Sequence, residues 1–493
     1  MVARVRVVDV PASKPLEEYG LVEAQGSLVA PFQARGAALA QRLGTSRVWM
    51  VNSTASGGGV AEMLPHTCGL LRDVGLDVRW LVLEPNDERF FTVTKALHHL
   101  LHGRDAGRVL DDDDAACFRR VSVEAGDALA EHTEPGDVVV IHDPQPCGTA
   151  STLAPEIGGR LVWRCHVGVP LHNAHTQAAW DFLSPWLAPF QSVVFSSERY
   201  VPAALRGRCS VMQPAIDALS HKNRELSPYK LLGILRSAGL AEDGGPEWAR
   251  FTTHAERYVD GAFVASGLPS LLSSPLILHV SRFDTLKGFD RSLAAFHLLA
   301  AHGPAQARKK RVAQDRAVDE INRSLLVLAG PDPHRVADDP EAVAVLADLC
   351  RRRDALPPEI AARVHIVKLP MSNARENALM VNALQRFAAV IVQPSVEEGF
   401  GLTVTEALWK GVPVVASNVG GIALQIRPGV DGLIVDRAED PEVLAEALLT
   451  ALVMVKQSEH MARSGRRRVA EHFLSLREAG QWLEVVDRLL PPM

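Results

Sequence analysis

A chain of 493 residues, 47% of them hydrophobic, can bury more than one core and by length divides into two to four domains. Lys and Arg number 52 against 58 Asp and Glu, a formal net charge of −6, which excludes a global basic field for nucleic acid or an anionic membrane. No run of about 18 apolar residues occurs, and the N-terminal MVARVRVVDV is too short and too interrupted by Arg for a signal-peptide core. A cytoplasmic protein with no membrane or nucleic-acid partner is expected. The cysteines at 68, 117, 147, 165, 209 and 350 form no C-x-x-C pair and no metal-ligand spacing, so they are expected as buried small apolar side chains, with no metal site.

Short β-branched runs recur along the chain, each closed by Gly or Pro and followed by a stretch of helical period, the pattern of βαβ units around parallel sheets. In the first half the predicted strands are 47–53, 76–83, 137–143, 161–167 and 191–197. The acidic run Asp111 to Asp114 is expected to be a solvated loop rather than a metal site. The second half repeats the theme with predicted strands at 276–283, 325–330, 364–370, 389–395 and 413–417. Two doubly wound α/β domains of about 200 residues each fit better than one sheet of ten strands. The boundary is placed near QPAIDALS (213–220): residues 1–218 form the first domain and 219–473 the second, with a terminal helix at about 474–493 packing back on the first. Helical stretches are expected over 219–275, and 302–322 is expected as a charged, exposed insertion or helix extension.

Four constellations carry chemistry. The first, NSTASGGGVAEMLPH (52–66), is a strand end followed by Gly57, Gly58 and Gly59 and then a helix. Three glycines let backbone approach a ligand and leave the helix start open to phosphate or sugar oxygens, although a plain flexible turn has the same composition. The run has neither G-x-G-x-x-G nor a Lys-Ser/Thr pair, which weakens dinucleotide and NTPase readings. The second comprises strand-end polar groups: His142, Asp143 and Gln145 in IHDPQP (141–146), with Arg164 and His166 in WRCHV (163–167). Each alone suits a structural hydrogen bond as well as a ligand; together on neighbouring strands they make an acceptor pocket, with His166 able to bond a sugar hydroxyl.

The third, HVSRFDTLKGFD (279–290), sets Arg282 and Lys287 five positions apart at a strand end, where a guanidinium and an ammonium can converge on a diphosphate. The fourth, VEEGFGLTVTEALWKG (396–411), holds Glu398 and Glu406 around Gly399, Phe400, Gly401 and Leu402 at a helix start. Unpaired first-turn amides and two carboxylates, which accept paired hydrogen bonds from vicinal diols, suit a sugar ring and a ribose. The alternative is a helix start with one capping and one exposed acid.

Through Glu398 and Glu406 (E-x7-E) and the Arg282/Lys287 pair, the second half resembles the family 4 retaining glycosyltransferases, whose GT-B fold sets two Rossmann-like domains across a central cleft. GGGVAE (57–62), FTVTKALHH (91–99), IHDPQP, WRCH, FSSERYVP (195–202), SRFD (281–284), DDPE (338–341) and EGFGLTVTEALWKG (398–411) are similar to the trehalose glycosyltransferring synthases. The resemblance implies an NDP-glucose donor, UDP- or ADP-glucose, as a substrate with no tightly bound cofactor, and no motif requires Mg2+. It implies catalytic roles for Arg282, Lys287, Glu398 and His166. The donor would meet Gly57, Gly58, Gly59, Arg282, Lys287, Gly399, Phe400, Gly401 and Leu402, with Glu406 on its ribose. The acceptor glucose would meet Asp143, Gln145, Arg164 and His166, bordered by the glycine turn, and closure of the two domains would assemble the site.

Residues 1–47 and 302–322 fall outside the resemblance, and 369–387 is longer than the family's usual connection where the nucleobase sits. Three alternatives stand beside a trehalose-forming glucosyltransferase: a retaining trehalose phosphorylase, a related family 4 enzyme with another acceptor, and a non-catalytic sugar-nucleotide binder. Glu406 favours the first, because a ribose-binding acid has no task in a phosphorylase. A homodimer is the default expectation from symmetry statistics.

Overall fold

A computed structural model describes residues 4–492 apart from 56–57, 86, 242–250, 266–267, 310–313 and 336–340. The chain forms two compact units, one of residues up to Asp217 together with those from His472 onward, the other Ala218–Glu471.

The first unit holds seven strands: β1 (Arg4–Val8), β2 (Val48–Asn52), β3 (Val78–Glu84), β4 (Val138–His142), β5 (Leu161–Cys165), β6 (Ser192–Phe195) and β7 (Cys209–Val211). They lie in the order β1-β3-β2-β4-β5-β6-β7, parallel except for β1 against β3. All five residues of each of β2, β4 and β5 are buried, which is why they read as continuous apolar runs: helices cover both faces of a parallel sheet. Leu161, Trp163 and Cys165 point into the main core with Phe118, Trp180 and Phe195, whereas Val162 and Arg164 point to the opposite face. The terminal helix Ser475–Leu489 packs in this unit, and its Trp482 ring lies 6.0 Å from that of His142.

The second unit holds β8 (Glu256–Val259), β9 (Ala262–Val264), β10 (Leu276–Val280), β11 (Leu325–Pro331), β12 (Val364–Leu369), β13 (Val390–Gln393), β14 (Val414–Ser417) and β15 (Leu433–Val435). The order is β15-β14-β13-β10-β11-β12-β8-β9, with β10 to β15 parallel and β8–β9 an antiparallel hairpin on the β12 edge.

Each predicted strand is present, and the two doubly wound α/β domains are as expected. The edge strands β1, β7, β9 and β15, and β8 beside β9, escaped the sequence reading because they are short or alternate with exposed residues, as in Arg4–Val8. Of the remaining expectations one needs correction. Within 219–275 a helical stretch is present as Pro228–Ser237, and the described residues there also form the β8–β9 hairpin and a short turn. Of the two forms expected for 302–322 the described residues take the helix extension: they continue the helix Phe289–Lys309 and enter a second helix, Gln314–Arg323. The run Asp111 to Asp114 is no loop but the start of the helix Asp112–Ala130. Asp111 accepts the Asp114 N–H (2.8 Å) and Asp114 the Asp111 N–H (3.2 Å), a reciprocal capping box. Asp114 is fully buried against Arg89 (3.1 Å) and Arg108. The six cysteines are free thiols, all buried except the partly exposed Cys209.

Candidate active site

In an open parallel sheet, ligands bind beyond the carboxyl ends of the strands where the strand order reverses. In the second unit that point lies between β10 and β13. The loops leaving these strands carry Arg282 with Lys287, and Glu398.

After β10 the chain makes one tight turn, Thr285–Lys287, capped by Asp284, whose Oδ1 accepts the Leu286 N–H (2.8 Å). Gly288 follows with φ of 74°, and a Cβ there would collide with the Pro394 carbonyl oxygen; only glycine allows the turn to lie against the chain leaving β13. Val396 N–H donates to Leu286 O (2.7 Å), joining the two loops. These contacts bring Lys287 Nζ to Glu398 Oε2 at 2.7 Å, with Ser395 Oγ donating to the same oxygen at 3.4 Å. Both side chains are nearly enclosed, 15% and 12% exposed, whereas Arg282, 44% exposed, lies 3.6 Å from Asp284. Behind them His279 is buried, stacked on Phe289 at 4.0 Å, with Nδ1 2.9 Å from Ser292 Oγ. Burial, and next the Lys287 charge, push its imidazole down to about 3.

The loop Glu398–Gly401 is held from the other side by Gly420 and Gly421. Gly420 has φ of 43°, and Cβ atoms at the two positions would meet Glu398 O and Phe400 Cα. Gly421 N–H donates to Glu398 O (3.1 Å), and Gln425 Nε2 donates to Gly401 O (3.2 Å). Gly401, with φ of 87°, is the cap of the helix Leu402–Trp409 and supplies no side-chain bond; the Val404 N–H donates to Gly401 O (3.0 Å), which leaves the Leu402 and Thr403 amides to a ligand. Sequence reasoning missed Gly288, Gly420, Gly421 and Gln425. Only the N-V-G-G that follows β14 could have signalled the pair.

Glu406 is separate from this centre. It is 1% exposed, with Oε1 2.8 Å from Lys222 Nζ, and among the described residues no group bonds its Oε2. Lys410 Nζ donates to Asn223 Oδ1 (2.9 Å), and burial pushes its ammonium well below the usual lysine range, opposed by Glu406.

In the first unit the reversal lies between β2 and β4. Beyond β2, Gly58 is extended and Gly59 opens the helix Gly59–Asp73; Gly57 lies outside the described residues. Beyond β4, Asp143 takes the left-handed conformation, φ of 68°. Its Oδ1 accepts the His166 N–H (2.9 Å) and its carbonyl the Trp163 Nε1–H (2.9 Å), which ties the ends of β4 and β5 together. Burial raises its carboxyl to about 6. His142 Nδ1 and His166 Nε2 are 3.1 Å apart, and burial, followed by the Arg164 charge, lowers both imidazoles, His142 to about 3. Among the described residues His142 Nε2, His166 Nδ1 and Gln145 Oε1 are buried without a hydrogen-bond partner. A hydroxylated ligand would satisfy such atoms. Arg164 is fully buried and only part-satisfied: its Nη2 donates to Met212 O (2.7 Å) and Ser196 Oγ (3.3 Å), its charge interacts with Glu478, and among the described residues its Nε and Nη1 have no hydrogen-bond partner. The structure thus gathers His142, Asp143 and His166 and gives Arg164 partners inside the unit.

Among the described residues no group of three or more His, Cys, Asp or Glu side chains could hold a metal ion, and no helix is long and apolar enough to cross a membrane.

Comparison with known proteins places these centres in context. Residues 50–202 match the family model "Trehalose synthase, N-terminal domain", and residues 363–468 match "Glycosyl transferases group 1". The chain is 32% identical over 440 residues to the trehalose synthase of Thermococcus litoralis, covering 89% of each chain. It is 28% identical over 464 residues to the trehalose phosphorylase of Pleurotus sajor-caju, covering 87% of this chain and 55% of that one. Among solved structures, an α,α-trehalose-phosphate synthase from Burkholderia xenovorans in complex with glucose-6-phosphate superimposes with a TM-score of 0.63 at 16% identity, over 90% of this chain and 100% of that one. At that identity the likeness shows the shared fold, GT-B.

Proposed function

The chain belongs to the trehalose synthase family, and from that premise we propose that this hexosyltransferase makes trehalose reversibly from NDP-glucose and glucose, with retained configuration. The observation that carries the proposal is the Lys287–Glu398 pair at the strand-order reversal, a cation and a carboxylate 2.7 Å apart and nearly enclosed.

In the reaction the bond from the glucose anomeric carbon to the β-phosphate oxygen breaks, and a bond from that carbon to an acceptor hydroxyl oxygen forms on the same face. The hydroxyl proton passes to the departing phosphate. Arg282, Lys287 and the open helix start at Gly401 to Leu402 stabilise the negative charge that develops on the diphosphate. Glu398 accepts from the hydroxyls of the transferred glucose and keeps Lys287 in place until the diphosphate arrives. Gly399 and Phe400 offer backbone groups to the same sugar, and Glu406 takes the ribose. On the acceptor side, Asp143, Gln145 and the neutral His166 bind glucose hydroxyls, Gly58 and Gly59 border them, and Arg164 acts from behind by holding the strand ends. The fungal relative favours a second reading, a trehalose phosphorylase with inorganic phosphate as acceptor of the glucosyl group. A cytoplasmic homodimer completes the proposal; sedimentation velocity tests the dimer.

Phosphate-free protein is incubated with trehalose plus UDP, ADP or GDP in separate tubes, beside trehalose plus phosphate. The expected result is glucose with one NDP-glucose. Glucose 1-phosphate formed only with phosphate would establish the second reading, and no product in any tube would sink both.

A further inference from the structure

Glu406 sits within the helix Leu402–Trp409 at 1% exposure, where a carboxylate needs compensating partners. Lys222 supplies one, its Nζ 2.8 Å from Oε1, and Oε2 is left as a buried acceptor with no partner among the described residues. Lys222 does not belong to the helix or to either strand-end loop. It comes from His221–Glu225, a stretch with no helix or strand of its own.

That stretch is nevertheless fixed from two helices. Asn382, in the helix Ala374–Phe387, donates through Nδ2 to His221 O (3.0 Å) and Arg224 O (2.9 Å), and Arg386 in the same helix lies 2.9 Å from Glu225 Oε2. From the end of the Glu406 helix, Trp409 Nε1 donates to Asn223 O (3.0 Å) and Lys410 Nζ to Asn223 Oδ1 (2.9 Å). A flexible lysine is thereby delivered to one oxygen of one carboxylate by an anchored strap.

We propose that Lys222 is a positioning residue for the nucleoside diphosphate: it holds Glu406 by Oε1 and so leaves Oε2 to accept the vicinal hydroxyls of the ribose. The proposal rests on Glu406 as the ribose-binding acid. Without the ammonium, the carboxylate would rotate or take up a proton, and the enzyme would lose its preference for a ribose over a sugar lacking those hydroxyls.

The test is calorimetric binding of UDP and ADP to the full chain, each beside its 2′,3′-dideoxy form. Wild type should prefer the ribonucleotide by about tenfold, the scale of one charge-assisted hydrogen bond. Lys222→Met should lose most of that preference while affinity for the dideoxy form stays within about twofold, and Lys222→Arg should restore it. If Lys222→Met does not fold, Lys222→Gln carries the same expectation. Preference retained in the Met or Gln variant overturns the positioning role while Glu406 keeps its ribose. Absence of preference in the wild type removes the ribose role and the proposal with it.

Discussion

At the scale of single residues, the side chains of the candidate centre are held by one another before any ligand arrives. Lys287 and Glu398 share a nearly enclosed pocket, so Lys287→Met removes both a stabiliser of the leaving diphosphate and the partner of a carboxylate. Turnover should fall by about 10²–10³, as on removal of one preorganised donor, while circular dichroism still reports a folded chain; wild-type rates would refute the assignment. The buried histidines set a pH dependence. His142 and His279 titrate near 3 when folded, against the 6.5 of an unperturbed imidazole, so the unfolded chain binds more protons between those values and stability falls as pH drops through that window. Asp143, raised from 3.8 to about 6, acts in the opposite sense, losing stability as pH rises between those values. His279→Gln should therefore flatten the decline in melting temperature between about pH 6.5 and 4; an unchanged slope would mean that His279 does not stay neutral on folding. Glu398 and Lys287 were legible in the sequence as residue types at strand ends. Their pairing was not, because a sequence separation of 111 is closed only by sheet order.

At the scale of elements, the loops succeed through glycine. Gly420→Ala puts a Cβ into the Glu398 carbonyl in a left-handed backbone, whereas Gly429→Ala meets the same kind of φ, 72°, with nothing within 4 Å. The second should cost about 1–2 kcal/mol from backbone strain alone and leave turnover intact. The first should cost about 3 kcal/mol or more and abolish turnover. Thermal melts and initial rates on the pair separate strain from loop displacement, and equal behaviour of the two variants would deny the packing role. The central strands were readable because residues such as Val138 to Ile141 are buried on both faces and must be apolar. The helix opened by Asp111 and Asp114 was misread because four consecutive acids look solvated until Arg89 and Arg108 arrive from other parts of the chain.

At the scale of the whole molecule, the chain returns to the first unit at its end. Ile216 and Leu474 form a bridge, and the helix Ser475–Leu489 buries Trp482, Leu483 and Val486 there. It also carries Glu478, whose carboxyl is raised by burial and faces the charges of Arg164 and Arg477. A chain ending at Glu471 should leave Arg164 as an uncompensated buried cation and expose an apolar face, losing soluble yield and gaining rapid proteolysis of the first unit. Unaltered yield and protease resistance would show that the helix is dispensable. The sequence by itself determined the two doubly wound sheets, since parallel strands covered on both faces must be continuous apolar runs and their chemistry must gather at strand ends. Only the tertiary structure decided which of those residues meet: Lys287 with Glu398, Lys222 with Glu406, His142 with His166, and Arg164 with the interior of its own unit. Such meetings depend on strand order, on glycines that permit close approach and on segments remote in the chain, none of which leaves a local pattern in the sequence.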